Sequence, residues 1–494
     1  MKRIGHVIAN EPCGDFARTS PVFNPATGEQ SAEVALASVE EVDAAVEAAR
    51  SGFEQWRGVS LAKRSAVMFA FRQLLAEHAG SIAQAITAEH GKVRDDAAGE
   101  VARGLECVEF ACGIPQLLKG GYSTQASTGI DVYELRQPLG VVAGITPFNF
   151  PAMVPLWMIP NAIACGNAFI LKPSEKDPSA SLILADILER AGLPPGVFNV
   201  VQGDVVAVDR LLDHPEVAAV SFVGSTPIAR HVYERGTSAG KRVQALGGAK
   251  NHMVVLPDAD LEMAADATVS AAYGSAGERC MAVSVVVAVG DVADPLVDAV
   301  TKRIGNLAVG PGDQPGSQMG PLVTQAHRDK VASYLDTASD QGAEVVVDGR
   351  AQAFDGDGFF LGASLVDRVR PEMTVYHDEV FGPLLCVVRV DTAREAIDLV
   401  NANPYGNGTA IFTRDGGAAR MFEQDIEVGM VGINVPIPVP VSHYSFGGWK
   451  DSLFGDTHMY GPAGVDFYTR TKVVTSRWPD PATSTLDLGF PTNS

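Results

Sequence analysis

Apolar residues recur every three or four positions through the first quarter of the chain and then give way to short buried runs. Val42, Ala45, Val46 and Ala49 share one helical face, as do Val101, Leu105, Val108 and Cys112, so residues 38–120 are expected to be helical. Over 121–138 the character changes. Tyr122, Ser123, Thr124 and Thr128 precede the alternation Ile130-Asp131-Val132-Tyr133-Glu134-Leu135, which predicts a half-exposed β-ribbon open to pairing with another chain. From 139 the rhythm is strand, helix, strand. Residues 141–145, 168–171, 197–201 and 219–223 read as buried strands. Helices are expected from 156 to about 165 and over 179–191, the second stopping at Gly192 with Pro194 beyond. This alternation predicts a parallel sheet with right-handed crossovers, which binds ligands beyond the carboxyl ends of its strands. A second α/β series runs from about 253 to 440 and ends in Asn434-Val435-Pro436-Ile437-Pro438-Val439-Pro440, held extended by alternate prolines. Thr471-Lys472-Val473-Val474-Thr475-Ser476 is one further strand.

A chain of 494 residues exceeds one core, so two or three domains are expected. The formal charge of −21 argues against nucleic acid or an anionic membrane surface as partner, while leaving room for small anions at local basic clusters. Six scattered cysteines (Cys13, Cys107, Cys112, Cys165, Cys280, Cys386) predict free thiols in a reducing compartment. No CxxC pair or HExxH motif occurs, so no metal site is expected. The start Met1-Lys2-Arg3-Ile4-Gly5-His6 lacks the apolar stretch of a signal peptide, and no apolar run nears the roughly 20 residues that span a bilayer. A cytoplasmic location is the resulting expectation.

Chemistry concentrates in two loops. Cys280, in Gly277-Glu278-Arg279-Cys280, follows small and polar residues and reads as an exposed loop thiol whose ionisation Arg279 favours. Asn149, in Pro147-Phe148-Asn149-Phe150-Pro151, is an amide in a stiff frame, suited to holding a developing oxyanion, although Asn is also a common turn residue. Together they predict attack on a carbonyl carbon. A GxGxxG fingerprint is absent. In its place, Lys172-Pro173-Ser174-Glu175 ends a strand with a lysine and an acid suited to ribose hydroxyls, and Lys176 adds charge. The acid would repel a 2′-phosphate, favouring NAD over NADP. Phe222-Val223-Gly224-Ser225-Thr226-Pro227 ends a strand and opens a helix whose free N–H groups suit a pyrophosphate. Either motif alone is equally an ordinary turn with a solvated lysine. Glu379, in Asp378-Glu379-Val380-Phe381-Gly382-Pro383, reads by itself as a surface acid.

These motifs, in this order and spacing, resemble the aldehyde dehydrogenase superfamily over nearly the whole chain. The resemblance implies Cys280 as nucleophile, Asn149 as oxyanion donor, Glu379 on the nicotinamide ribose and Phe381 beside that ring. Thr146, Phe148, Lys172, Glu175, Lys176, Gly224 and Ser225 complete the cofactor-binding set. It further implies an α/β fold with a Rossmann-like NAD-binding domain (1–120 and 139–247), an α/β catalytic domain (248–445), and an oligomerisation arm with the C-terminal tail (121–138 and 446–494). A homo-oligomer, a dimer of dimers, would follow. Hydrolytic members carry a glutamate before Leu-Gly-Gly. Here Gln244-Ala245-Leu246-Gly247-Gly248-Ala249-Lys250 places Ala245 or Leu246 there, depending on the alignment, and neither is a base. A thioacyl-enzyme without such a base is expected to pass its acyl group to a thiol, with coenzyme A as the candidate. Gly248-Ala249-Lys250-Asn251-His252, Cys280-Met281-Ala282, Asn403-Pro404-Tyr405-Gly406-Asn407-Gly408 and the proline-spaced loop extend the likeness to CoA-acylating (methyl)malonate-semialdehyde dehydrogenases. In those enzymes two arginines bind the substrate carboxylate, matching Arg279 and Arg103, although Arg103 alone reads as a solvated helix residue. The implied activity is NAD-dependent, decarboxylating oxidation of such a semialdehyde to acetyl-CoA or propionyl-CoA, within valine or inositol breakdown. The alternative is hydrolytic oxidation to a free acid.

Overall fold

The computed structural model describes residues 1–482 and Gly489, so 483–488 and 490–494 of the expected tail lie outside the described residues. The helical stretch is filled by Val39–Trp56, Leu61–Glu77, Ala79–His90 and Arg94–Cys112. Ser38 opens the first with a reciprocal capping box to Glu41. Ahead of them the first 35 residues form short strands that periodicity did not signal. Lys2–Ile4, Thr19–Asn24 and Glu29–Ala35 make a small sheet, while His6–Ile8 and Glu11–Cys13 extend the edge of the first large sheet.

That first sheet has eight strands and a parallel centre. From Val141–Ile145 the chain steps outward through Ala168–Lys172 to Phe198–Val200. It then returns to the other side with Val217–Val223 and Arg242–Leu246. Val141–Ile145 and Ala168–Lys172 are buried throughout, as a sheet covered by helices on both faces requires. Strand order reverses between the strands ending at Ile145 and Val223. A crevice opens there beyond their carboxyl ends.

The second sheet has seven strands, with Glu344–Val347 antiparallel at its edge. Its functional loops sit at the opposite, amino ends of the strands. Cys280 leads into Val283–Val289, Glu379 into Leu384–Val390, and Asn407 into Gly408–Phe412, while Asn251 begins Asn251–Val255. The two sheets thus face one another end to end.

The ribbon Tyr122–Ser127 and Ile130–Pro138 forms with Thr469–Arg477 a three-stranded sheet distinct from the two large ones, with Tyr122, Leu135 and Val473 exposed on it. The segment between, 446–468, is not part of that arm. Leu453–Phe454 pairs with Arg242–Leu246, Trp449–Lys450 pairs with Tyr405–Gly406, and helix Gly461–Phe467 packs on helix Met153–Ala164. Among the described residues no helix is long and apolar enough to cross a membrane.

Buried Asn167 ties these parts together. Its carbonyl accepts from the N–H groups of Leu139 and Gly140 at 2.7 and 3.1 Å, and its amide donates to the carbonyls of Ala162 and Tyr468, both at 3.0 Å. Replacing it leaves three backbone groups, the N–H groups of Leu139 and Gly140 and the Tyr468 carbonyl, without their partner, each costing about 1–3 kcal/mol when buried, while the Ala162 carbonyl keeps the Asn167 backbone N–H. Asn167→Ala is therefore expected to lower the thermal midpoint well below that of an exposed substitution such as Gln73→Ala. Equal midpoints in a melting experiment would contradict this account.

Candidate active site

The nucleophile loop begins where helix Leu261–Tyr273 stops. Ser275, Ala276 and Gly277 all take positive φ, at 54°, 52° and 73°, a run that breaks regular structure and turns the chain sharply. Gly277 is required on space as well, because a Cβ there would lie 2.2 Å from the Gly382 carbonyl oxygen. The Cys280 carbonyl then accepts from the side-chain amides of Asn251 at 2.8 Å and Asn407 at 3.1 Å.

Cys280 lines a cavity of about 200 Å³ whose other walls include Asn149, Phe148, Gly247, Glu379 and Phe381. The two residues expected to carry the chemistry are therefore brought together. Asn149 is 3% exposed, and no described residue hydrogen-bonds its side-chain amide. The amide is left available to a ligand.

The thiol itself differs from expectation. Cys280 is only half-exposed, and burial pushes its pKa up to about 12, with Glu379 raising it further and Arg279 lowering it least. Arg279 has little effect because Asp96 holds its guanidinium at 2.6 Å, in a separate cavity of about 600 Å³ shared with Tyr273 and Arg303. Gly274 makes room for it: a Cβ there would lie 2.5 Å from Arg279 Nη1. Burial and the nearby Glu379 thus both favour the thiol over the thiolate.

Thr146, Phe148, Lys172, Glu175, Lys176, Gly224 and Ser225 line one crevice of about 330 Å³ at the reversal point of the first sheet. Phe148, Val223, Gly224 and Ser225 belong to both cavities, so the crevice leads to Cys280. Buried Thr146 Oγ1 has no hydrogen-bond partner among the described residues. Lys172 Nζ lies 3.5 Å from Glu175, and burial lowers the lysine's pKa. Ser225 is the N-cap of helix Thr226–Ser238 but makes no side-chain cap, leaving the helix's first N–H groups open. An unpartnered hydroxyl, a ribose-sized acid–lysine pair and an open helix start fit a dinucleotide. Lys176 Nζ stands 4.5 Å over the Phe148 ring, which meets Phe381 edge-on at 5.9 Å. Phe381 itself is held at φ 55°, its carbonyl accepting from the His327 ring at 2.7 Å.

Ala245 and Leu246 are both core residues, 0% and 3% exposed, and supply no base. An acid nonetheless borders Cys280. Glu379 Oε1 accepts from the Ala249 N–H at 2.9 Å, and its Oε2 occupies the space where a Gly248 Cβ would be. Burial raises its pKa to about 7. Sequence reasoning placed this carboxyl on the nicotinamide ribose and did not foresee it facing the thiol.

Arg103 and Arg279 do not converge in this structure. Arg103 pairs with Glu106 at 2.8 Å and donates to the carbonyls of Val439 and Pro440 in the proline-spaced loop. The Tyr460 hydroxyl donates to the same Pro440 carbonyl at 3.0 Å. Trp157 and Phe446, 4.6 Å apart, pack beside Tyr460 to complete an aromatic wall. Tyr460 carried no sequence signal. Lys92 and Glu100, behind the Asn149 loop, were also missed. Glu100 had a signal, since a carboxylate on the apolar stripe of Arg94–Cys112 needs a buried partner. No group of three or more His, Cys, Asp or Glu among the described residues is placed to hold a metal.

The chain matches known proteins over nearly its whole length. The sequence model described as "Aldehyde dehydrogenase family" matches residues 14–474. A malonate-semialdehyde dehydrogenase of Pseudomonas aeruginosa is 58% identical, covering 98% of each chain. A malonate-semialdehyde dehydrogenase 2 of Geobacillus kaustophilus is 49% identical over 93% of this chain and 96% of its own. The crystal structure of methylmalonate-semialdehyde dehydrogenase from Oceanimonas doudoroffii superposes with a TM-score of 0.96 at 55% identity, covering 98% of this chain and 99% of that one. A Sinorhizobium meliloti structure assigned to methylmalonate-semialdehyde dehydrogenase and complexed with NAD gives 0.97 at 51% identity, with the same coverage. The chain belongs to the aldehyde dehydrogenase family.

Proposed function

We propose that this protein oxidises malonate semialdehyde or methylmalonate semialdehyde with NAD, loses carbon dioxide, and delivers the acyl group to coenzyme A. The observation that carries the reading is a cysteine and an unpaired amide in one cavity opening onto a dinucleotide crevice. The substrate class is supported by the names of relatives at 49–58% identity.

Among the groups lining the cavity, Glu379 is the one able to accept the thiol proton, and its pKa of about 7 keeps a large ionised fraction at neutral pH. The Cys280 sulfur then adds to the aldehyde carbon. The Asn149 amide and the Cys280 backbone N–H hold the oxyanion. NAD, when bound in the crevice, supplies a hydride acceptor. Collapse of the adduct leaves a thioester on Cys280 whose carboxylate is β to the carbonyl, so carbon dioxide departs with its electrons delocalised onto that carbonyl. Arg103 and Arg279 would hold the carboxylate through binding and oxidation, Arg279 after leaving Asp96. The CoA thiol then takes the acyl group, and the Cys280 thiol is restored.

Glu379 beside the thiol favours a second reading, in which that carboxyl activates water and a free acid is released. Steady-state NADH formation with and without CoA separates the two. The acyl-transfer reading expects a stoichiometric NADH burst and then slow turnover without CoA, with acetyl-CoA or propionyl-CoA identified by mass spectrometry when CoA is present. Equal turnover in both conditions would establish hydrolysis.

Arg279→Leu should raise KM for malonate semialdehyde about tenfold or more, the size of one lost charged hydrogen bond, while leaving KM for propanal nearly unchanged. An equal rise for both aldehydes refutes the carboxylate role. Alkylation of the free enzyme by iodoacetamide should accelerate with pH without a plateau below pH 10, because the thiol is raised to about 12. Glu379→Gln removes a neighbouring negative charge and should move that profile to lower pH. A plateau near pH 8 in the unsubstituted protein would contradict the buried-thiol account.

A further inference from the structure

Behind the Asn149 loop lies an ion pair without solvent contact. Lys92 Nζ and Glu100 Oε2 are 2.9 Å apart, and both side chains are 0% exposed. Isolated burial of two such charges is costly, and the cost is recovered only where every remaining polar site is satisfied. Here each one is. The lysine ammonium has three donors: one serves Glu100, one serves the Asn149 backbone carbonyl at 2.6 Å, and the third side is covered by the Phe150 ring at 4.3 Å. The second carboxylate oxygen of Glu100 accepts from the N–H groups of Ala152 and Met153 at 2.8 and 3.1 Å. Those groups open helix Met153–Ala164, whose own N-cap residue, Ala152, has no side chain able to cap it.

The pair therefore grips both ends of one turn. Ammonium fixes the carbonyl of Asn149, and carboxylate fixes the start of the helix three residues later. The reason for so costly a device follows from the amide it supports. An oxyanion donor must keep its N–H groups unpaired until the tetrahedral intermediate forms, so protein hydrogen bonds cannot orient the amide directly. Its aim has to be set through the backbone.

We propose that Lys92, anchored by Glu100, is a positioning residue that aims the Asn149 amide at the oxyanion. This rests on reading Asn149 as the oxyanion donor. The test replaces the pair as K92M/E100Q, which leaves no lone buried charge and keeps an amide oxygen able to accept from Ala152 and Met153. What it removes is the ammonium on the Asn149 carbonyl. The holoenzyme's NADH burst rate is measured with malonate semialdehyde for the unsubstituted protein, K92M/E100Q, N149A and the triple variant.

The burst rate of K92M/E100Q is expected to fall about tenfold or more, with KM for the aldehyde changed less than about twofold, as for a loosened transition-state donor. In the N149A background the same two changes should lower the rate no further, since residues acting as one unit are not additive. An equal proportional fall in both backgrounds, an unaltered burst rate in K92M/E100Q, or a double variant that does not fold would each overturn the proposal. An N149A enzyme with an unchanged burst rate is a different failure. It removes the reading of Asn149 itself, and is visible without any change at Lys92.

Discussion

The catalytic arrangement depends on one carbonyl oxygen, that of Cys280, which receives N–H groups from the side chains of both Asn251 and Asn407. The loop carrying Cys280 has three successive residues at positive φ and cannot hold itself by regular backbone pairing. Its position is borrowed instead from the second sheet. Asn251 starts one strand and also accepts from the Gly408 N–H of the neighbouring strand at 3.1 Å, so two strands and the nucleophile share one amide. Every other element of the site is arranged around a thiol fixed in that way. The first sheet brings its crevice to the sulfur end-on, and Asn149 arrives on the loop after its central strand.

A nucleophile held so firmly is also largely desolvated, and that governs its chemistry. Removing water from around a thiol disfavours its ionised form, and the adjacent Glu379 works in the same direction. The expectation of an activated thiolate failed for a physical reason: the neighbouring arginine in the sequence is spent on Asp96. Adjacency in the chain says nothing about where a long side chain points. Cys280 at rest is a guarded group, and the proposed attack on an aldehyde requires its proton to be taken within the cavity.

Most of the architecture was legible because it rests on periodicity and on local stop signals. The expected helix over 179–191 is Ser179–Arg190, closed by Gly192 at φ 88°. The expected strand over 471–476 is the centre of Thr469–Arg477. The residues expected to hold a dinucleotide follow directly on strand ends, and the fold gathers them along one crevice. The initial strands were not legible, because short edge strands with mixed polarity carry no clear alternation. The path of 446–468, which pairs with both Arg242–Leu246 and Tyr405–Gly406, was hidden for a related reason: two-residue pairings have no sequence period. Lys92, Glu100 and Tyr460 escaped because their significance lies in contacts across 57, 52 and 20 residues of chain.

The acid beside Cys280 came into view only in three dimensions, and its pKa of about 7 bears on which acyl acceptor suits the site. A thiol with an ordinary pKa near 8.5 lies only about 1.5 units above such a base, a gap of roughly 2 kcal/mol. Bulk water, near 15.7, lies about 9 units above it, or roughly 12 kcal/mol for full transfer. General-base catalysis needs only partial transfer, so the larger gap slows water rather than forbidding it. Positions 245 and 246, which could have carried a dedicated base for water, are packed with apolar side chains in the core. The carboxyl that remains is already engaged by the Ala249 N–H and lies within the cavity that a nicotinamide would share. On the proposed acyl-transfer reading, a base of that strength and placement is matched to the proton of an incoming thiol.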